Sequence, residues 1–229
     1  MSEAASFPAV ATVLAVLTLT GAAEPASAVS RTEIAPGAVT ITLRVYDYVR
    51  VGRPASLAAE GEATAILAGA GLEARWVDCP TSQAEWDSYP DCQSAWQAND
   101  FALRVLPKAM VGVRPKWQDA LGSTPECDGL GTCTGSIFYD RVTGLVEGAS
   151  ATLPVLLGRA MAHEIGHLLL GANAHSHTGI MRAFWSGRDL TLDGRPYLLF
   201  TPEQSRQMKG RLAQREQEWQ AQVASLGQR

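Results

Sequence analysis

The chain has 229 residues, a size that suits one domain able to bury a hydrophobic core. Hydrophobic residues make up 46% and charged residues 18%, with a net charge of −4 and an isoelectric point near 5.6. This slightly acidic balance lacks the basic surface that nucleic acid requires, so it argues against a nucleic-acid partner.

The amino-terminal segment has the layout of a secretory signal peptide. Residues 7–22, FPAVATVLAVLTLTGA, are almost free of polar groups, and Ala26-Ser27-Ala28 provides a small-x-small cleavage site. The usual basic start is missing, and the apolar run is short for a membrane helix of about 20 residues. We expect residues 1–28 to be a signal peptide. Residues 29–229 are then expected to form one secreted or periplasmic domain, without stable membrane insertion once the signal is removed.

The first elements after this segment are a strand, a helix and a strand. Residues 39–48, VTITLRVYDY, are β-branched and aromatic, which favours a strand. Residues 54–70 are rich in Ala, Leu and Glu and predict a helix that Gly71 can end. Residues 72–77 again favour a strand. This order predicts a βαβ unit.

Four cysteines lie in the middle of the chain, and their even number agrees with export. Three pairings are open, of which the local one, Cys79–Cys92 with Cys127–Cys133, is the simplest because each bond would close a polar loop. A cysteine zinc cluster is disfavoured, since no C-x-x-C pair occurs. Two more strands are predicted in this part of the chain, over residues 101–106 and 135–146, the second interrupted at Thr143-Gly144.

A buried helix is predicted for residues 151–170, because ATLPVLLGRAMAHEIGHLLL is apolar on most sides. Ser150 or Thr152 can cap its first turn, and Gly171 can end it with a positive φ. A last, polar amphipathic helix over residues 203–223 follows the capping signature of Thr201 and Gln204.

All four histidines of the chain fall between residues 163 and 177. His163, Glu164 and His167 form H-E-x-x-H inside the predicted buried helix. Residues four apart share a helical face, so both imidazoles can reach one zinc ion, while Glu164 lies beside that face. The pattern predicts two zinc ligands and a general base for attack by an activated water.

A catalytic zinc site needs a third protein ligand. The candidates are His175, His177, Asn173 and a distant acid such as Glu203. His175 is favoured, because Gly171 lets the chain turn back towards the metal four residues earlier. His177 stays open as an alternative ligand or as a residue that supports the ligands.

Residues 163–181, HEIGHLLLGANAHSHTGIM, resemble the metzincins, whose motif is H-E-x-x-H-x-x-G-x-x-H followed by a methionine turn. Gly171 resembles the family glycine, His175 the third ligand and Met181 the methionine of the turn. Strict family spacing would place Gly at 170 and His at 173, where this chain has Leu170 and Asn173, so the loop holds two extra residues.

The resemblance implies an α+β, zincin-like fold, with a twisted mixed β-sheet, an active-site helix that carries HExxH, and a C-terminal helix. It implies a secreted endopeptidase that uses Zn²⁺, with Glu164 as the catalytic base, and that acts on a protein or peptide substrate. Residues 135–139 are then the candidate edge strand for an extended peptide, with an internal strand as the alternative. Phe184 and Trp185, which follow Met181, are candidates for the wall of a substrate pocket.

Two other functions are compatible with the residues. A zincin could take its third ligand from a downstream glutamate such as Glu203. Alternatively, the chain could be a secreted zinc-binding or interaction module that cleaves nothing, although zinc storage alone has no use for Glu164 beside the ligands.

Overall fold

A five-stranded sheet forms the framework of the computed structural model, which describes residues 38–112, 120–125 and 131–226. Its strands are β1 (Val39–Asp47), β2 (Leu72–Cys79), β3 (Asp100–Leu106), β4 (Gly122–Ser123) and β5 (Thr134–Phe138). In space they lie in the order β2-β1-β3-β5-β4. All neighbours are parallel except β4, which runs antiparallel to β5 at the edge.

The helices lie between and after these strands. They are α1 (Arg53–Gly69), α2 (Lys108–Val111), α3 (Tyr139–Leu145), α4 (Leu153–Leu170) and α5 (Pro202–Leu226). The predicted fold class is confirmed: the sheet is mixed, α4 carries the HExxH residues, and α5 is the C-terminal helix. No helix among the described residues is both long enough and apolar enough to cross a bilayer.

The predicted βαβ unit is confirmed as β1, α1 and β2. Alternate residues of β1, Ile41, Leu43 and Val45, are buried, as expected for a strand between two neighbours. On α1 the buried residues Ala59, Ala63, Ile66 and Leu67 recur at helical spacing and form one face towards the core.

Helix α4 runs through the core, and every residue from 156 to 170 is buried. It packs closely on α1 at Gly158, where a β-carbon would overlap the carbonyl oxygen of Ala59. Arg159 lies within this buried stretch, and Glu62 of α1 accepts a hydrogen bond from its Nε over 2.9 Å. The carbonyls of Asp189 and Thr191 accept from its Nη1 over 2.7 Å each, so the buried charge is well paired.

The predicted helix ends are largely confirmed. Thr152 is the N-cap residue of α4, although its side chain makes no capping hydrogen bond, and Gly171 follows the helix with φ 101°. Ahead of α5, the Thr201 amide donates to Gln204 Oε1 over 2.9 Å, and the Gln204 amide donates to Thr201 Oγ1 over 3.2 Å. This is the reciprocal capping box that the sequence predicts.

The strand predicted over residues 135–146 is wrong in its second half. Strand β5 ends at Phe138, and the next seven residues form α3. Val142 is fully buried and Leu145, one helical turn later, packs against the core, so this segment buries its apolar side chains at helical spacing.

The predicted disulfide between Cys79 and Cys92 is confirmed, with a Cα–Cα distance of 5.6 Å. Cys133 is also disulfide-bonded, whereas Cys127 lies outside the described residues. The second predicted pair therefore stays a prediction. The predicted signal peptide, residues 1–28, also lies outside the described residues.

Candidate metal centre and active site

Two of the predicted ligands, His163 and His167, lie one turn apart on α4. They are 8% and 6% exposed. Because residues four apart share a helical face, their rings meet, and the two Nε2 atoms are 3.1 Å apart.

His175 reaches the same point from the loop that follows Gly171. Its Nε2 lies 3.1 Å from His167 Nε2, and the ligand atoms of the three histidines all lie within 4.8 Å of one another. Tetrahedral zinc, with bonds of about 2.0–2.1 Å to nitrogen, separates its ligand atoms by about 3.3 Å. The structure thus brings His163, His167 and His175 together at a spacing that suits one zinc ion.

Backbone carbonyls fix the orientation of the two helical imidazoles. His163 Nδ1 lies 2.7 Å from the carbonyl oxygen of Ile180, and His167 Nδ1 lies 3.1 Å from that of Gly171. Since a carbonyl can only accept, each Nδ1 carries the proton and each Nε2 presents a lone pair. Lone pairs that face one another at 3.1 Å with no proton between them fit a shared cation.

The electrostatics of the site keep these rings neutral. Burial, together with the neighbouring His167, lowers the pKa of His163 to about 3. Burial also lowers the pKa of His167 and of His175. Because a metal binds neutral imidazole, the three side chains are in their binding state at neutral pH without a proton to displace.

Two of the other candidate ligands, His177 and Glu203, lie outside the group of three histidines. His177 is exposed and is not part of the histidine group. The Glu203 side chain is 77% exposed at the start of α5, where it pairs with Arg206. Asn173 is exposed on the wall of the cavity next to the histidines. Within the described part of the chain, the only group of three or more His, Cys, Asp or Glu side chains close enough to share an ion is the histidine trio.

The carboxyl group of Glu164 points towards the edge of the sheet. Thr124, just after β4, donates its hydroxyl to Glu164 Oε2 over 2.7 Å. Glu164 is 3% exposed, and this burial raises the pKa of its carboxyl to about 7, while the hydrogen bond from Thr124 acts in the opposite direction. A carboxyl group with such a pKa can accept and release a proton near neutral pH.

Met181 lies in a tight turn directly against α4. The Arg182 amide donates to the carbonyl of Gly179 over 3.3 Å, and Gly179 has φ 75°. Met181 is fully buried, and its sulfur occupies the space that a β-carbon on Gly166 would need. The same turn supplies the Ile180 carbonyl that orients His163, so the turn that contains Met181 lies beside the histidines and supports one of them.

A cavity of about 560 Å³ opens beside the three histidines and Glu164. Residues 120–124 and residues 182–185 are among those that line it. Trp185 is half-buried, with its ring centroid 5.7 Å from that of His163, whereas Phe184 is 76% exposed. Both predicted pocket residues therefore line the cavity.

The edge strand next to this cavity is β4, which the sequence analysis missed. Residues 135–139 were the predicted edge, and this is wrong, because β5 lies between β3 and β4. Strand β4 has only two residues, Gly122 and Ser123, and so short a strand leaves no alternating pattern to detect. Thr124 was missed for a related reason: it contacts Glu164 across 40 positions of sequence.

Comparisons with known proteins give structural likeness only. No protein-family model matches the chain, and a search of curated proteins finds no significant match. Among solved structures, archaemetzincin from Methanopyrus kandleri is similar at 11% identity and a TM-score of 0.46, over 76% of this chain and 96% of that one. Metalloproteinase-II from Bacteroides fragilis is similar at 12% identity and a TM-score of 0.43, over 79% of this chain and 55% of that one. Likeness at this level assigns no activity, so the functional conclusion rests on the site.

Proposed function

We propose that the protein is a secreted zinc-dependent endopeptidase, with His163, His167 and His175 as zinc ligands and Glu164 as general base. The observation that carries the proposal is the convergence of three Nε2 atoms beside a cavity that the Glu164 carboxyl also lines. When bound, zinc supplies a Lewis acid that acidifies a water molecule and polarises a peptide carbonyl.

Glu164 moves the proton in this reaction. Its carboxylate takes a proton from the water whose oxygen attacks the carbonyl carbon of the peptide bond. The same proton is then given to the leaving amine nitrogen as the C–N bond breaks, so the carboxylate is regenerated. A raised pKa, about 7, suits a group that must both accept and release a proton.

The substrate is placed in this cavity, along strand β4. Strand β4 is the edge of the sheet within the described residues, and Gly122 and Ser123 line the cavity. An extended peptide laid along such an edge can bond through its own backbone, whatever its side chains are. Trp185 and Phe184, which also line the cavity, offer apolar contacts to one side chain of that peptide.

Secretion is part of the proposal. It is supported by the apolar segment of residues 7–22 and by the disulfide between Cys79 and Cys92, since such bonds persist in oxidising compartments. Detection of the protein outside the cell, with Val29 as its first residue, tests this part.

The function is tested by digesting a diverse peptide pool with wild type and with Glu164→Ala, followed by mass spectrometry. Wild type should cut within peptides, and both a chelator and the substitution should abolish cutting while the variant still binds zinc. Two inactive proteins that both hold one zinc per chain would favour the binding module instead. Replacing Glu203 tests the remaining alternative, in which Glu203 is the third zinc ligand. In that case the zinc affinity should fall when Glu203 is replaced and should not change when His175 is replaced.

A further inference from the structure

The side chain of Glu164 is enclosed by residues of the sheet edge that the motif itself does not contain. Its Oε2 accepts the hydrogen bond from Thr124 Oγ1 at 2.7 Å, and its Oε1 lies against Gly122. A β-carbon at Gly122 would be only 2.5 Å from that Oε1 atom and equally close to the Ser136 carbonyl. The carboxyl group is therefore held from two sides by β4 and the residue that follows it.

Thr124 is itself fixed in place. It is 8% exposed, and its hydroxyl also lies 3.4 Å from the backbone carbonyl of Glu164. On the adjoining strand, a β-carbon at Gly135 would be 3.1 Å from the Thr124 hydroxyl and 3.5 Å from the Glu164 β-carbon. The absence of side chains at Gly122 and Gly135 lets the threonine and the glutamate pack this closely.

In this arrangement the two oxygens of the Glu164 carboxyl group have different roles. Thr124 occupies Oε2, and an O–H donor on that side fixes the plane of the carboxyl group. Oε1 is then the atom left to take the proton from water. A base is effective only when it is held close to its productive position, and an error of about 1 Å can lower the rate by about 100-fold.

We propose that Thr124 is a positioning residue that orients the general base Glu164 from the position directly after the edge strand β4. The proposal rests on the proposed function, because it assigns a purpose to the orientation of that base. It also links the substrate cavity to the general base, since the residue that holds the base directly follows the strand that lines the cavity.

The test compares Thr124→Val, which keeps the shape and removes the hydroxyl, with Thr124→Ser, which keeps the hydroxyl. Thr40→Val is the matched control, because Thr40 Oγ1 also donates to a glutamate oxygen, Glu73 Oε2, over 2.9 Å but at an exposed position on β1. Each zinc-loaded protein is assayed for kcat, KM and zinc affinity, and crystal structures of wild type and Thr124→Val show the carboxyl group directly.

Thr124→Val is expected to lower kcat by about 10- to 100-fold while KM and zinc affinity change by less than about twofold. Thr124→Ser should restore most of the lost rate, and Thr40→Val should match wild type. In the crystal structure of Thr124→Val the Glu164 carboxyl should have rotated from its place. A wild-type kcat in Thr124→Val, or a Thr124→Ser variant as slow as Thr124→Val, would overturn the proposal.

The crystal structures separate this proposal from the proposed function. If zinc-loaded wild type cleaves no peptide, the proposed function fails, and the position of the Glu164 carboxyl decides the role of Thr124. A carboxyl group that moves in Thr124→Val supports the positioning role, and one that stays in place overturns it.

Discussion

Met181 and Gly166 are in direct contact, with the methionine sulfur lying where a side chain at residue 166 would begin. Gly166 is the second of the two residues between Glu164 and His167 that the HExxH motif leaves unspecified, so the contact joins the turn to the part of α4 that carries the motif. The absence of a β-carbon at this position is therefore a packing requirement of the site.

Gly166→Ala is expected to lower the free energy of unfolding by about 1–3 kcal/mol, because the new methyl group must displace Met181 from a packed core. Gly61→Ala is the matched control, since Gly61 lies within α1 and, apart from the adjoining residues and the backbone of its own helix, nothing lies within 4 Å of the position of the new methyl group. That control should raise stability by about 0.5–1 kcal/mol through helix propensity. Urea unfolding measures both, and equal effects at the two sites would contradict the packing argument.

His175 and His177 provide a second matched pair. His175→Ala removes an Nε2 atom from the group of three, so zinc affinity should fall by on the order of 100-fold or more. His177→Ala removes an exposed ring outside that group and should leave the affinity within about threefold of wild type. Competition with a chelating dye measures both constants. A larger loss at His177 would show that the two extra loop residues place a different histidine on the metal.

The buried pair of Arg159 and Glu62 should matter far more than an exposed pair. Arg159→Met leaves Glu62 and the carbonyls of Asp189 and Thr191 without their buried donor, so the free energy of unfolding should fall by about 3–5 kcal/mol. Arg195, which also contacts Glu62, should limit the loss. Arg206→Met removes the exposed partner of Glu203 and should cost less than about 1 kcal/mol. A loss below 1 kcal/mol at both positions would contradict this description of the core.

Glu60 should make stability depend on pH. Its carboxyl group on α1 is 6% exposed, and its Oε1 has no hydrogen-bond partner among the described residues. Burial, reinforced by the nearby Asp78, raises the pKa of Glu60 from 4.5 to about 7. Between these values the folded protein binds more protons than the unfolded chain, so this contribution to stability is complete below pH 4.5 and is lost as the pH rises through 7.

In the Glu60→Gln variant the side chain at residue 60 cannot ionise, so the variant should not show this loss of stability as the pH rises. Relative to wild type, the free energy of unfolding of the variant should gain on the order of 3 kcal/mol between pH 4.5 and pH 8, as measured by urea unfolding across that range. Glu147→Gln, at an exposed position, is the control and should follow wild type. A Glu60→Gln variant whose free energy of unfolding changes with pH in the same way as that of wild type would contradict the expectation.

Local patterns predicted the parts of the structure that depend on neighbours in sequence. The run from residue 151 to 170 is apolar on most sides, and its residues 153–170 form the buried helix that carries both helical histidines. Thr201 and Gln204 lie three residues apart, and they form the capping box. His175 could be predicted to lie beside His163 and His167, because Gly171 indicated where the helix ends.

The parts that sequence could not predict depend on contacts between distant segments. Residues 139–145 follow a strand and contain a Thr-Gly pair, yet they fold as a helix. In this helix Val142 is fully buried in the core. Strand β4 exists only through its pairing with β5, and Thr124 has a role only because the sheet edge comes beside α4. Neither relationship leaves a periodic signal in the chain.

The central claim is tested most directly by titrating zinc into metal-free protein while measuring zinc binding and peptide cleavage together. The claim predicts that cleavage rises in step with bound zinc and reaches its maximum at one ion per chain, and that Glu164→Ala binds the same single ion without cleaving. Full zinc occupancy without cleavage by wild type, or cleavage that persists in metal-free protein, would contradict it.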